Sequence, residues 1–411
     1  MAVVGLGQGD ERVGLVAHGD VQPVDPGKWK KSPFELDRTS EPGRLLARGA
    51  EDDKGPIATA LYAMKAIKDR KVPLKKRIEL YVYMAEESDW APLEAWLKTH
   101  TPPQVNITLD AEYPVVTAEK GWGAINVSMP AGATAPGVDA APRMVSFSGG
   151  FFASQIPEDA RAAIDNATPE LERDIRARAL KQKGMHYAYA WEGKRLLVTA
   201  RGYAAHSSKP WEGVNAIAML ADALAVRNWS GTQAGAMADF VAEMVGTGLY
   251  GERFGKIAYR DSFMGEMTVA PTTLKPDADN NLVLGINLRR PRGKSKEQLD
   301  QEIKSAFEEW KQKRGVAATV DTTIGEPWVQ DNAPQVPTLM AVFNHYSGIR
   351  DAKPIAIGGG TNSRLFPSAV SFGPTMPGKV YTGHSEHEYI TEKQLLLNLE
   401  MYTAVLVELA R

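Results

Sequence analysis

The chain has 411 residues with Lys+Arg 48 against Asp+Glu 50, so its formal charge of -2 excludes the strong positive field that nucleic acid or an anionic membrane would require. Hydrophobic residues are 43% and charged residues 24%, an ordinary globular balance, and the length suits two to three domains. Cysteine is absent, which excludes disulfides, thiolate-ligated zinc or iron–sulfur centres and a cysteine nucleophile.

No apolar run approaches the roughly 18 residues needed to cross a bilayer, and the first ten residues lack the basic and apolar regions of a signal peptide. Arg12 to Ala17 is a short apolar run ending at His18, as a buried strand would end. Pro56 to Lys68 carries apolar residues at helical spacing behind a Gly55-Pro56 entry. Arg77 to Met84 reads as a strand, Ala91 to Lys98 as a helix and Val105 to Leu109 as a third strand. This alternation predicts an α/β domain with a mainly parallel sheet flanked by helices.

After Gly121 the pattern changes. Residues 130–142, rich in Ala, Gly and Pro, read as a loop; Arg195 to Thr199 and Leu282 to Leu288 read as strands. Asn215 to Arg227 and Ser295 to Lys313 read as helices, the second opened by Ser295 and closed by Gly315. We therefore expect an inserted α+β domain over 122–325, splitting a discontinuous domain of 1–121 and 326–411. The α/β pattern returns with a helix from Val336 to about Tyr346, strands at Pro354 to Ile357 and Ala369 to Phe372, and a last helix from Thr391.

Four polar clusters stand where predicted strands end: His18-Gly-Asp20, Asp52-Asp53-Lys54-Gly55, Glu86-Glu87 and Asp110-Ala-Glu112. A fifth, His384-Ser-Glu-His-Glu388, follows the insertion. Singly, each has an ordinary reading as a solvated pair, a helix cap or a hydrogen-bonded histidine. Together they converge on one sheet edge, where so many carboxylates repel one another unless cations neutralise them. Oxygen and imidazole ligands without thiolate suit zinc, manganese or cobalt, and the excess of carboxylates suits two ions. In extended backbone the Glu86 and Glu87 side chains point to opposite sides, so one can ligate while the other faces water and substrate. The spacing leaves open which does which.

Val16-Ala-His18-Gly-Asp20-Val-Gln-Pro23, Arg48 to Pro56, Met84-Ala-Glu86-Glu87-Ser88 and Asp110-Ala-Glu-Tyr-Pro114 resemble the M20 metallopeptidases, most closely the dipeptidase branch of PepV-type bacterial enzymes and carnosinases. The resemblance runs along nearly the whole chain, in order. It implies that His18, Asp52 and Asp110 hold one divalent metal ion, and that Asp52, Glu87 and His384 hold the other. Zn2+ is the expected metal, with Mn2+ or Co2+ as alternatives. Glu86 would be the general base, and Asp20 would hydrogen-bond His18 from behind. The insertion resembles the family's lid. Within it, His206 matches the oxyanion histidine, with Asn215 in the same motif, and Arg289 rather than Arg290 matches the residue that binds the substrate carboxylate. Gly359, Gly360 and Thr361 match a loop that would receive the same group. His387 stands where the family has Asn, and His384 is preferred as the ligand by its place in the motif.

The implied function is hydrolysis of dipeptides by an activated water. The alternatives are the same chemistry on N-acyl or β-alanyl amino acids, or a non-catalytic metal-binding homologue or fragment. A small peptide is the expected partner, without nucleic acid or membrane, and a homodimer is allowed. Family members carry a leader ahead of the first metal histidine, which here is residue 18, so we expect a shortened variant or a fragment. The expected location is cytoplasmic, or periplasmic if a signal peptide was lost.

Overall fold

A computed structural model describes residues 1–132, 141–229 and 231–411. Residues 133–140 of the loop expected over 130–142 lie outside the described residues. The chain divides into two compact units, Met1–Glu119 with Trp328–Arg411, and Lys120–Pro327. The junctions thus fall at 119/120 and 327/328, two residues from the expected 121/122 and 325/326.

The first unit is built on a sheet that combines parallel and antiparallel pairings, the parallel ones in the majority. Its centre is parallel: Arg12–His18 lies between Arg77–Tyr83 and Val105–Thr108, and the last of these continues to Val370–Ser371. Its flanks are antiparallel, with Ala2–Leu6 on Arg77–Tyr83 and Trp328–Val329 on Val116–Glu119. Buried Leu15, Ile78, Leu80 and Ile107 from the central strands meet Ala60, Ala63, Met64 and Ile67 of the helix Lys54–Asp69. That helical set recurs at three and four residues, the spacing that puts side chains on one face. The helix Glu392–Ala410 adds Met401, Tyr402, Val405 and Leu406 by the same rule, with Thr391 accepting the Gln394 amide as its cap. Each buried Leu or Ile contributes about 1.5–3 kcal/mol. His18, Asp110 and Glu86-Glu87 all follow the carboxyl ends of adjacent parallel strands, so one sheet edge collects the polar clusters.

The second unit has an eight-stranded antiparallel sheet whose centre includes Arg143–Gly149, Thr268–Pro276, Leu282–Arg290 and Gly121–Met129. Helices pack on it, among them Ala216–Leu224 and Lys296–Arg314. The latter is opened by Ser295 and closed by Gly315 in the left-handed region. Alternation along Gly121–Met129 buries Ile125, Val127 and Met129. Among the described residues, no helix is long and apolar enough to cross a membrane.

Candidate metal centre

His18 ends its strand fully enclosed, and its main-chain N–H donates to Asp53 Oδ2 at 3.1 Å. Its Nε2 lies 2.7 Å from Asp52 Oδ1 and 3.7 Å from Asp110 Oδ2. The other Asp52 oxygen faces the second imidazole: His384 Nε2 is 3.0 Å from Asp52 Oδ2 and 3.1 Å from Glu87 Oε1. The two oxygens of Asp52 therefore address two different histidines. His384 has a φ of 65°, a left-handed conformation uncommon outside glycine, in the loop that follows Gly383. The Asp52–Asp53 peptide is cis.

Each ligand-bearing segment is tied down by another. The Glu86 and Glu87 amides donate to the two oxygens of Asp20, both at 3.0 Å. His18 Nδ1 is closer to the Asp20 carbonyl oxygen, 3.1 Å, than to its carboxylate, 3.5 Å. Asp20 thus holds the Glu86-Glu87 turn with its side chain and meets His18 mainly through its backbone. Glu388 accepts from Arg48 and from the amides of Gly49, Glu51 and Asp52 at 2.9–3.0 Å, which fixes the Asp52 loop. Glu51 is held by Thr375 and Thr382, and burial raises it to about 7.

The electrostatics are those of a site with too much negative charge. Burial pushes Glu86 well above the usual carboxylate range, and neighbouring Asp110 adds to it. Burial and then Asp52 lift Asp110 to about 7. Asp52 goes the other way: burial opposes its charge, but hydrogen bonds to His18 and His384 outweigh that and hold it well below its ordinary value. Burial alone would lower both imidazoles. Asp110 foremost keeps His18 well above its usual range, and Glu87 foremost takes His384 to about 10.

Atoms of His18, Asp52 and Glu87, and of His18, Glu86 and Asp110, come within 4.8 Å of one another in each trio. Among the described residues, buried Glu86 Oε1 has no hydrogen-bond partner. Hard oxygen and imidazole donors converging in this way, with a buried carboxylate oxygen unsatisfied, fit divalent cations. His18, Asp52, Asp110, Glu87 and His384 would hold them. His387 lies elsewhere, its Nε2 2.7 Å from Glu41 and its side chain 52% exposed.

Gly359 and Gly360 follow the strand Ile355–Ile357, and a Cβ on either would meet its first atom only at 3.7 Å. Thr361 is already engaged: its amide and hydroxyl donate to buried Glu119, at 3.0 and 2.6 Å, as does Arg364.

In the second unit, the Ser208 amide donates to His206 Nδ1 at 3.2 Å, which leaves the ring proton on Nε2. Buried Arg289 donates to Asn287 Oδ1 at 3.0 Å and to Ser207 Oγ at 3.2 Å, next to His206 in sequence. Arg290 is committed to Glu326 and the Lys294 carbonyl. Asn215 caps its helix through the Ala218 amide and donates to the Pro271 carbonyl, so both ends of its amide serve the unit itself.

Sequence reasoning gave no role to Gln22, Tyr381 or Glu388. Gln22 and Glu388 lie inside the quoted clusters. Nothing in the pattern singled out Tyr381, three residues before His384, whose hydroxyl donates to Asp52 Oδ2 at 2.5 Å.

Acidic and imidazole groups clustered at the edge of an α/β sheet suit a metal-dependent enzyme. Peptidase family M20/M25/M40 matches residues 14–408, and the chain belongs to that family. YtjP of Bacillus subtilis (strain 168), provisionally named a dipeptidase, is 31% identical over 419 residues, covering 98% of this chain and 84% of YtjP. The Beta-Ala-Xaa dipeptidase of Lactobacillus delbrueckii subsp. lactis is 27% identical over 409 residues, covering 99% and 84%. The solved structure of human carnosine dipeptidase 1 shares the fold, with a TM-score of 0.56 at 13% identity, covering 99% of this chain and 82% of that one.

Proposed function

We propose that the protein is a dinuclear metal dipeptidase, and that residues 120–327 are its lid. The observation that carries this reading is the division of Asp52, one oxygen toward His18 and the other toward His384, with Glu86 alongside. His18, Asp52, Asp110, Glu87 and His384 would hold divalent ions, which would supply Lewis acidity and acidify a water near neutral pH. Glu86 Oε1 takes the proton of that water and returns it to the leaving amine, so the C–N bond breaks without expelling an amide anion. His206 presents Nε2–H to the carbonyl oxygen that gains charge. Arg289, with its neighbours Asn287 and Ser207 fixing the guanidinium, receives the substrate carboxylate, and we read the open backbone at Gly359 and Gly360 as a further contact for substrate. We read Asn215 and Thr361 as supports for these segments.

A second reading keeps the site and changes the substrate to a β-alanyl dipeptide. The name of the Lactobacillus delbrueckii relative favours it. Elemental analysis, paired with hydrolysis of α- and β-aminoacyl dipeptides and their N-acetyl forms before and after chelation, tests both. Two metals per chain and chelator-sensitive cleavage of free-amine dipeptides are expected; metal-free protein, or cleavage indifferent to chelation, would sink the reading.

A further inference from the structure

The half of the site around His384 is fastened by uncharged donors. Gln22 Nε2 donates to Glu87 Oε2 at 2.6 Å, while Glu87 Oε1 faces His384. The Tyr381 hydroxyl donates to Asp52 Oδ2, the oxygen that also faces His384. Gln22 is buried and follows the strand that ends at His18. The half around His18 is built from charged and main-chain groups instead, with Asp110 Oδ2 and the Asp20 carbonyl on either side of the ring.

We propose that Gln22 and Tyr381 are positioning residues for the ion of the His384 half-site, Gln22 by occupying Glu87 Oε2 so that Oε1 is left toward His384, and Tyr381 by holding Asp52 Oδ2 in place toward the same imidazole. The inference rests on the dinuclear reading above. A free carboxylate can rotate to offer either oxygen or both; a donor on Oε2 removes that freedom from Glu87 and leaves Oε1 directed at the ion. An amide and a phenol do this without positive charge, whereas Lys or Arg in the same place would repel the cation they were meant to help bind. The two half-sites therefore differ in what their affinity depends on.

The test is titration of metal-free protein with Co2+, followed by calorimetry and by visible absorption, for the wild type, Y381F, Q22L, H18A and H384A. H384A and H18A identify which binding step belongs to which half-site. Q22L is expected to weaken the step that H384A abolishes by about 10–100-fold and to alter its absorption band with the other step unchanged, and Y381F, acting on the shared Asp52, is expected to weaken that same step more than the other. Equal weakening of both steps, or no weakening in either variant, would overturn the inference while leaving the dinuclear reading intact. Failure of the wild type to bind two ions would overturn both. Circular dichroism of the metal-free variants checks that each is folded, and the two substitutions, on separate segments, serve as independent trials.

Discussion

The carboxylate of Glu388 accepts the main-chain N–H of Asp52 at 3.0 Å, so the residue four places after His384 grips the loop that presents the shared ligand. Three further donors, Arg48 and the amides of Gly49 and Glu51, converge on the same group. Both Arg48 and Glu388 are enclosed, with side-chain exposures of 1% and 0%. Glu388→Ala would leave Arg48 charged, buried and unpaired, at a cost of about 3–5 kcal/mol. Urea unfolding of the metal-free protein should show that loss; a shift under 1 kcal/mol would mean the pair is not holding the loop.

Glu86 has its amide tied to Asp20 while its Oε1 is unsatisfied, which is what a proton carrier needs: a fixed base and an open acceptor. Glu86→Gln keeps the shape and removes the basicity. Turnover should fall by about 10²–10⁴-fold with metal content unchanged. If the metal left along with the activity, Glu86 would be a ligand and not a base.

The sheet edge was readable because strand-end polarity survives in one dimension: His18, Glu86-Glu87 and Asp110 each follow an apolar run, and parallel strands bring their ends together. The exposed strand Ala2–Leu6 was not readable. Its burial pattern shows no alternation to detect, and only its pairing with Arg77–Tyr83 makes it a strand. The antiparallel pairing of Trp328–Val329 on Val116–Glu119 at the other edge carries no local signal either. Tyr381 and Glu388 escaped for another reason: their partners are 329 and 336 residues away in sequence, and no local spacing encodes such pairs.

His384 and His387 make opposite commitments, one facing Asp52 and Glu87, the other Glu41 at the surface. Elemental analysis should find about one ion fewer in His384→Ala and no loss in His387→Ala, whose stability should change by less than about 0.5 kcal/mol. Metal loss in the second variant alone would exchange their roles.

Metal uptake must compete with protons. In the metal-free protein Asp110 binds a proton as pH falls below about 7, and His384 keeps one up to about 10. Both are groups whose protonated form is favoured by the folded, metal-free site, and a cation needs both deprotonated. Affinity should therefore rise with pH, by at least about tenfold per unit on the alkaline side of 7, where the imidazolium protons of His384 and His18 must leave, and more steeply on the acid side, where Asp110 adds another. Calorimetric titration in buffers of different ionisation enthalpy would count the protons released on each side of neutrality. A count that did not grow toward acid pH would show that Asp110 is already ionised when the metal arrives, and would remove it from the set of proton-linked ligands.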